Sequence, residues 1–142
     1  MGRSRGGLTT KLHALVDRHG RPRRLLLTPG QVYDSGPALQ LIEALQPGQT
    51  LLADKAYDAA SVRDAAAARG AHVNIPNRAH RKTPFPFDRT LYRARNAIER
   101  FYNKIKQYRG LATRYDKYPD HFLGGIILAS IRIWIRSNES TA

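Results

Sequence analysis

Two carboxylates in this 142-residue chain stand where an acid could do chemistry. Asp54 follows the short apolar run Thr50 to Ala53 (TLLA), the mark of a buried strand, and open α/β sheets place ligands at the C-terminal ends of such strands. Glu99 lies in YRARNAIERFYNKIK, residues 92–106, as the one acid among five basic residues. Each has a plain alternative. Asp54 could cap a turn. Glu99 could pair with Arg95 at i,i+4, although basic-before-acidic is the weaker order for such a pair, worth about 0.2–0.5 kcal/mol. Taken together, a strand-end aspartate and a helix-edge glutamate can share a hard cation such as Mg²⁺ through oxygen ligands. Neighbouring Lys and Arg would then hold phosphates beside that cation.

The elements that would position these residues follow from hydrophobic patterning. Thr9–Val16 and Pro22–Thr28 read as a hairpin around the turn Asp17–Gly20. A helix capped at Asp34 or Ser35 runs to about Leu45. The strand before Asp54 comes next, then an alanine-rich helix from Ala59 to Arg69 that stops at Gly70. Ala71–Ile75 is a short strand, and 76–88 is a loop rich in Pro, Arg and Lys. A helix from about Leu91 to Tyr108 would turn Ala94, Ile98, Phe101, Ile105 and Tyr108 to the core. At 100° per residue it would align Tyr92, Arg95, Glu99, Asn103 and Lys106 along one polar edge. A last helix, Asp120 to Arg136, is mostly apolar and expected to be buried. The order predicts one mixed α/β domain covered by helices.

Composition narrows the partners. Lys and Arg number 24 against 11 acids, a net charge of +13, which calls for a polyanion, and nucleic acid is the commonest. No cysteine is present, so disulfides and zinc–thiolate sites are excluded. The five histidines are scattered without i,i+4 pairing, against a histidine metal site. The basic N-terminus lacks the apolar run of a signal peptide. The longest apolar run is shorter than the roughly 20 residues a spanning helix needs and contains Arg132, so a cytoplasmic protein without membrane contact is expected. The basic segment Asn77–Lys82 would touch phosphates if DNA binds. Trp134 reads as core rather than as a base-stacking platform.

At these residues the chain resembles a known family. Tyr92, Arg95, Glu99 and Lys106 keep the spacing Y-(2)-R-(3)-E-(6)-K, which resembles the signature around the catalytic glutamate of bacterial insertion-sequence transposases of the DDE type. LLADKAYD, residues 51–58, looks like their segment around the second catalytic aspartate. GRSRGGLTTKLHALVDRHGRP, TPGQVYDS, IPNR and RGLATRYDK are similar to the branch named for insertion sequence five. The likeness runs from Gly2 to about Arg136. It implies a ribonuclease H-like mixed sheet flanked by helices, and metal-dependent cleavage and strand transfer of double-stranded DNA at insertion-sequence terminal inverted repeats. In the intact enzyme it implies two Mg²⁺ ions held by two aspartates and a glutamate, and self-association on DNA.

By the same resemblance Asp54 and Glu99 are the metal ligands and catalytic residues, while Tyr92, Arg95 and Lys106 contact DNA. The family's first catalytic aspartate lies on the first strand, upstream of the segment that this chain matches. Asp17 sits in a turn and Asp34 before a helix, and neither fits that strand. The expectation is therefore a partial catalytic domain over 1–142, lacking the first strand, similar to the downstream product of two overlapping frames or to a decayed copy. Alone it is expected to be inactive. The competing reading is a catalytically inactive DNA-binding fragment or regulator of the intact transposase. A ribosomal-type RNA-binding protein is disfavoured, since RNA binding places no demand on Glu99.

Overall fold

A computed structural model describes residues 2–4, 7–112 and 118–140. Residues 5, 6 and 113–117, which fall in the GRSRGG and RGLATRYDK segments, lie outside the described residues. The chain divides into two compact units, the first made of Met1–Gln31 and Asn96–Ala142, the second of Val32–Arg95.

In the first unit, strands β1 (Gly2–Ser4), β2 (Gly7–Val16) and β3 (Pro22–Pro29) form an antiparallel sheet in that order. The register sets Leu12 opposite Leu27 and Ala14 opposite Leu25, so one face of the hairpin is apolar. Its turn is braced by Asp17, whose carboxylate accepts from the backbone N–H of His19 (2.9 Å) and Arg21 (3.0 Å) and from Arg21 Nε (2.7 Å). Burial raises the Asp17 pKa, but the hydrogen bonds from Arg21 and His19 outweigh it and leave the group below its ordinary value. Gly20 closes the turn at φ +75°, a left-handed conformation, and a Cβ there would stand 3.0 Å from the Ala97 carbonyl oxygen.

Helices α4 (Asn96–Lys106) and α6 (Pro119–Glu139) supply the rest of this core, and α5 (Arg109–Ala112) is a single turn between them. Ala97, Phe101 and Ile105 are buried from α4, and Phe122, Ile126, Ala129 and Ile133 from α6. Both sets recur at the i,i+4 and i,i+3 steps that keep a helix face toward a core. Leu12, Ala14, Val16, Leu25 and Leu27 of the hairpin pack against that cluster. Polar atoms at its rim are matched: Tyr102 Oη donates to the Leu12 carbonyl (2.8 Å) and Trp134 Nε1 to the Pro22 carbonyl (2.9 Å).

In the second unit, β4 (Thr50–Leu52) and β5 (His72–Asn74) pair in parallel, and the connection between them carries α2 (Ala60–Ala68). Helix α1 (Ser35–Ile42) packs on α2, and α2 on β5. Arg69 ties α2 to the end of α1, donating to the Glu43 carbonyl (2.6 Å) and the Leu45 carbonyl (3.2 Å). The short α3 (Arg89–Tyr92) ends the unit with a 3₁₀ turn, Arg93–Arg95.

Two expectations change. The single helix from Leu91 to Tyr108 is interrupted by that 3₁₀ turn, which advances by about 120° per residue rather than 100°. Tyr92, Arg95, Glu99 and Lys106 therefore do not share one uninterrupted helix edge, and the buried alanine is Ala97, with Ala94 exposed. The last helix is not buried all round: Ile127, Leu128, Ile131 and Ile135 are exposed. Its apolar content outruns the single face that the core accepts. Among the described residues no helix is long and apolar enough to cross a membrane.

Candidate functional site

Asp54 sits two residues beyond β4 in extended backbone, φ −79° and ψ 172°, half-buried. Its Oδ1 accepts from the Ala56 N–H at 2.9 Å and so caps the 3₁₀ turn Lys55–Tyr57. The turn-cap role and a ligand role are compatible, because Oδ2 has no hydrogen-bond partner among the described residues. Capping fixes the carboxylate's orientation at a strand end, which a metal ligand requires.

Asp58, four residues on, is the most tightly held acid of the unit. It is 2 % exposed and fully committed. Arg63 Nε donates to Oδ1 (2.8 Å), Arg81 Nη2 to Oδ1 (2.7 Å), Arg81 Nε to Oδ2 (2.9 Å) and the Arg78 backbone N–H to Oδ2 (2.7 Å). Burial pushes this carboxyl up, but the donors from Arg81, Arg78 and Arg63 prevail and hold it at about 2. Asp58 is thus a structural anion, with no lone pair left over for a cation.

The fold brings Tyr92 and Arg95 together: Arg95 Nε donates to Tyr92 Oη at 3.0 Å, and its guanidinium lies 5.7 Å from the ring centre. Phe87 meets Tyr92 edge-on at 5.1 Å. This pair belongs to the second unit with Asp54. Glu99 and Lys106 belong to the first, both exposed on α4, with six residues between them, a seven-residue step of about 10 Å along the axis. Among the described residues no three His, Cys, Asp or Glu side chains gather as a metal site. Asp17, like Asp58, is spent on its own arginine and turn.

The Asp58 cluster is what sequence reasoning missed. Only the Arg63 spacing of five residues is local; Arg78 and Arg81 arrive from 20 and 23 residues away, which no periodicity reports.

The pattern of the family described as the transposase DDE domain matches residues 2–134. The chain belongs to the DDE transposase family. A relative from Brucella ovis, named as a transposase for insertion sequence element IS6501, is 39% identical over 130 residues, 91% of this chain and 100% of the relative. No solved structure matches the chain. DDE transposase domains generally use divalent metal ions and act on DNA, and the mixed α/β organisation above is consistent with such a domain. With no cysteine in the chain and no histidine cluster among the described residues, the carboxylate oxygens available here would suit a hard divalent cation rather than a soft one.

Proposed function

We propose that this chain is the catalytic-domain portion of an insertion-sequence transposase of the branch named for insertion sequence five, with a ribonuclease H-like architecture. It cleaves DNA at the element's terminal inverted repeats and joins the freed end to target DNA. The observation that carries the reading is the family match along residues 2–134, with Asp54 held at the end of β4 and one carboxylate oxygen open. Asp54 and Glu99 are the ligands this chain offers to Mg²⁺. When bound in pairs, such ions activate the attacking oxygen and stabilise the leaving one. The capped Asp54 keeps its open oxygen oriented, the Arg95–Tyr92 pair presents a cation and a ring to the DNA, and Lys106 holds a phosphate. The protein self-associates on the paired ends.

A second reading, a DNA-binding regulator without cleavage activity, is favoured by one observation: no third acid or histidine joins Asp54 or Glu99 among the described residues. In the first reading a further carboxylate comes from outside those residues. The readings separate in a strand cleavage and transfer assay on duplexes bearing the element's ends with Mg²⁺. It would be run on the chain alone and on the chain joined to the sequence encoded just upstream. The transposase reading expects activity in at least one form and its loss on Asp54→Ala. Binding without activity in either form selects the regulator.

The binding step has its own expectation. With +13 overall, affinity for duplex DNA should fall steeply with salt, and Lys106→Ala should flatten the log–log slope by about one unit. An affinity indifferent to salt would remove the nucleic-acid reading.

A further inference from the structure

Loop 76–88 carries exposed cations yet is fastened at more points than a solvated loop requires. Asn74 and Asp88 exchange two hydrogen bonds, Asn74 Nδ2 to the Asp88 carbonyl and Asp88 N–H to Asn74 Oδ1, each 2.9 Å. Inside that clasp Asn77 and Phe85 do the same at 2.8 Å. Asp58 takes the Arg78 N–H and both Arg81 donors, and the Phe85 ring lies under the guanidinium groups of Arg63 (4.2 Å) and Arg81 (4.9 Å). Arg78 then reaches back, donating to the Ala56 carbonyl at 2.9 Å and to the Lys55 carbonyl at 3.4 Å. The loop and the turn that Asp54 caps are therefore one fastened piece.

Charge on this piece is unbalanced. Arg63, Arg78, Arg81, Lys55 and Lys82 are five cations against three carboxylates, Asp54, Asp58 and Asp88. Lys55 and Lys82 are exposed. Loops that only carry solvated charge are ordinarily mobile, and ordering a residue costs on the order of 1–2 kcal/mol. Ordering it in the free protein removes that cost from the binding step.

We infer that loop 76–88 is a pre-ordered DNA-backbone contact, fastened to the Asp54 turn through Asp58, with Lys55 and Lys82 as its phosphate-binding cations. The inference rests on the transposase reading and adds to it. Lys55 adjoins Asp54 in sequence, so a phosphate held there lies beside the carboxylate. Asp58 acts through the loop and is a positioning residue.

The test is the salt dependence of binding to a labelled DNA duplex for the 142-residue chain and its Lys55→Gln/Lys82→Gln variant, with hydrogen exchange on both free proteins. Expected is a log–log slope shallower by about two units in the variant, with unchanged thermal unfolding because both side chains are exposed. The amides of Arg78, Phe85 and Asp88 should exchange slowly in both proteins without DNA. Equal slopes in a parent that binds DNA would overturn the loop contact and leave the transposase reading standing. No binding by the parent overturns both. Loop amides that exchange at the rate of an unstructured chain overturn pre-ordering.

Discussion

Asp58→Asn is expected to cost about 3–5 kcal/mol of folding free energy, because removing one partner of a buried ion pair strands the other. Arg63 is 6% exposed beside this carboxylate, and Arg81 and the Arg78 N–H point at it too, so the loss is not relieved by solvent. Urea denaturation of the two proteins measures it, and a difference under about 1 kcal/mol would show the cluster to be incidental. The same group makes stability depend on acid. Its folded pKa of about 2 lies below the ordinary value of 3.8, so its contribution is complete above roughly pH 4. That contribution disappears as pH falls toward 2, and is on the order of 2 kcal/mol. Asp58→Asn should flatten the stability profile between those pH values; a profile as steep as the parent's would assign the acid sensitivity elsewhere.

Glu99→Ala should reduce strand transfer by more than the ~10–100-fold typical of changes around a metal's ligands, while leaving thermal stability within about 1 kcal/mol. The side chain is exposed on α4, where surface ion pairs contribute little. Rates on pre-cut element ends, set beside thermal unfolding of the same preparations, separate the roles. A large stability loss with activity proportional to the folded fraction would make Glu99 a structural residue.

The elements of this chain were legible where one local rule decided them. The hairpin was visible because its apolar alternation and the Asp17–Gly20 turn agree, and α2 because alanines end at Gly70, which stands at φ +71°. The position of Asp54 at a strand end was legible for the same reason, as the first polar residue past a short apolar run of which Leu51 is buried. The 3₁₀ turn Arg93–Arg95 was not, since no proline or glycine marks it and every residue there tolerates a helix. The exposed side of α6 was hidden because apolar content alone cannot say how much core surface awaits it. Asp58 looked like the end of a motif, and its role depends on arginines that only the fold delivers.

The first unit is discontinuous, with Val32–Arg95 standing between its two segments. Its joining contacts are remote in sequence: Tyr102 meets Leu12 across 90 residues, and Trp134 meets Pro22 across 112. A ribosome emits the hairpin long before α4 and α6 exist, so its apolar face must wait, whereas the second unit can close as soon as residue 95 emerges. Nascent chains arrested shortly after that point should already protect 32–95 from protease while the β2–β3 hairpin is still cut. In this protein the segment bearing Asp54 is expected to be the first to mature during synthesis, and the segment bearing Glu99 among the last.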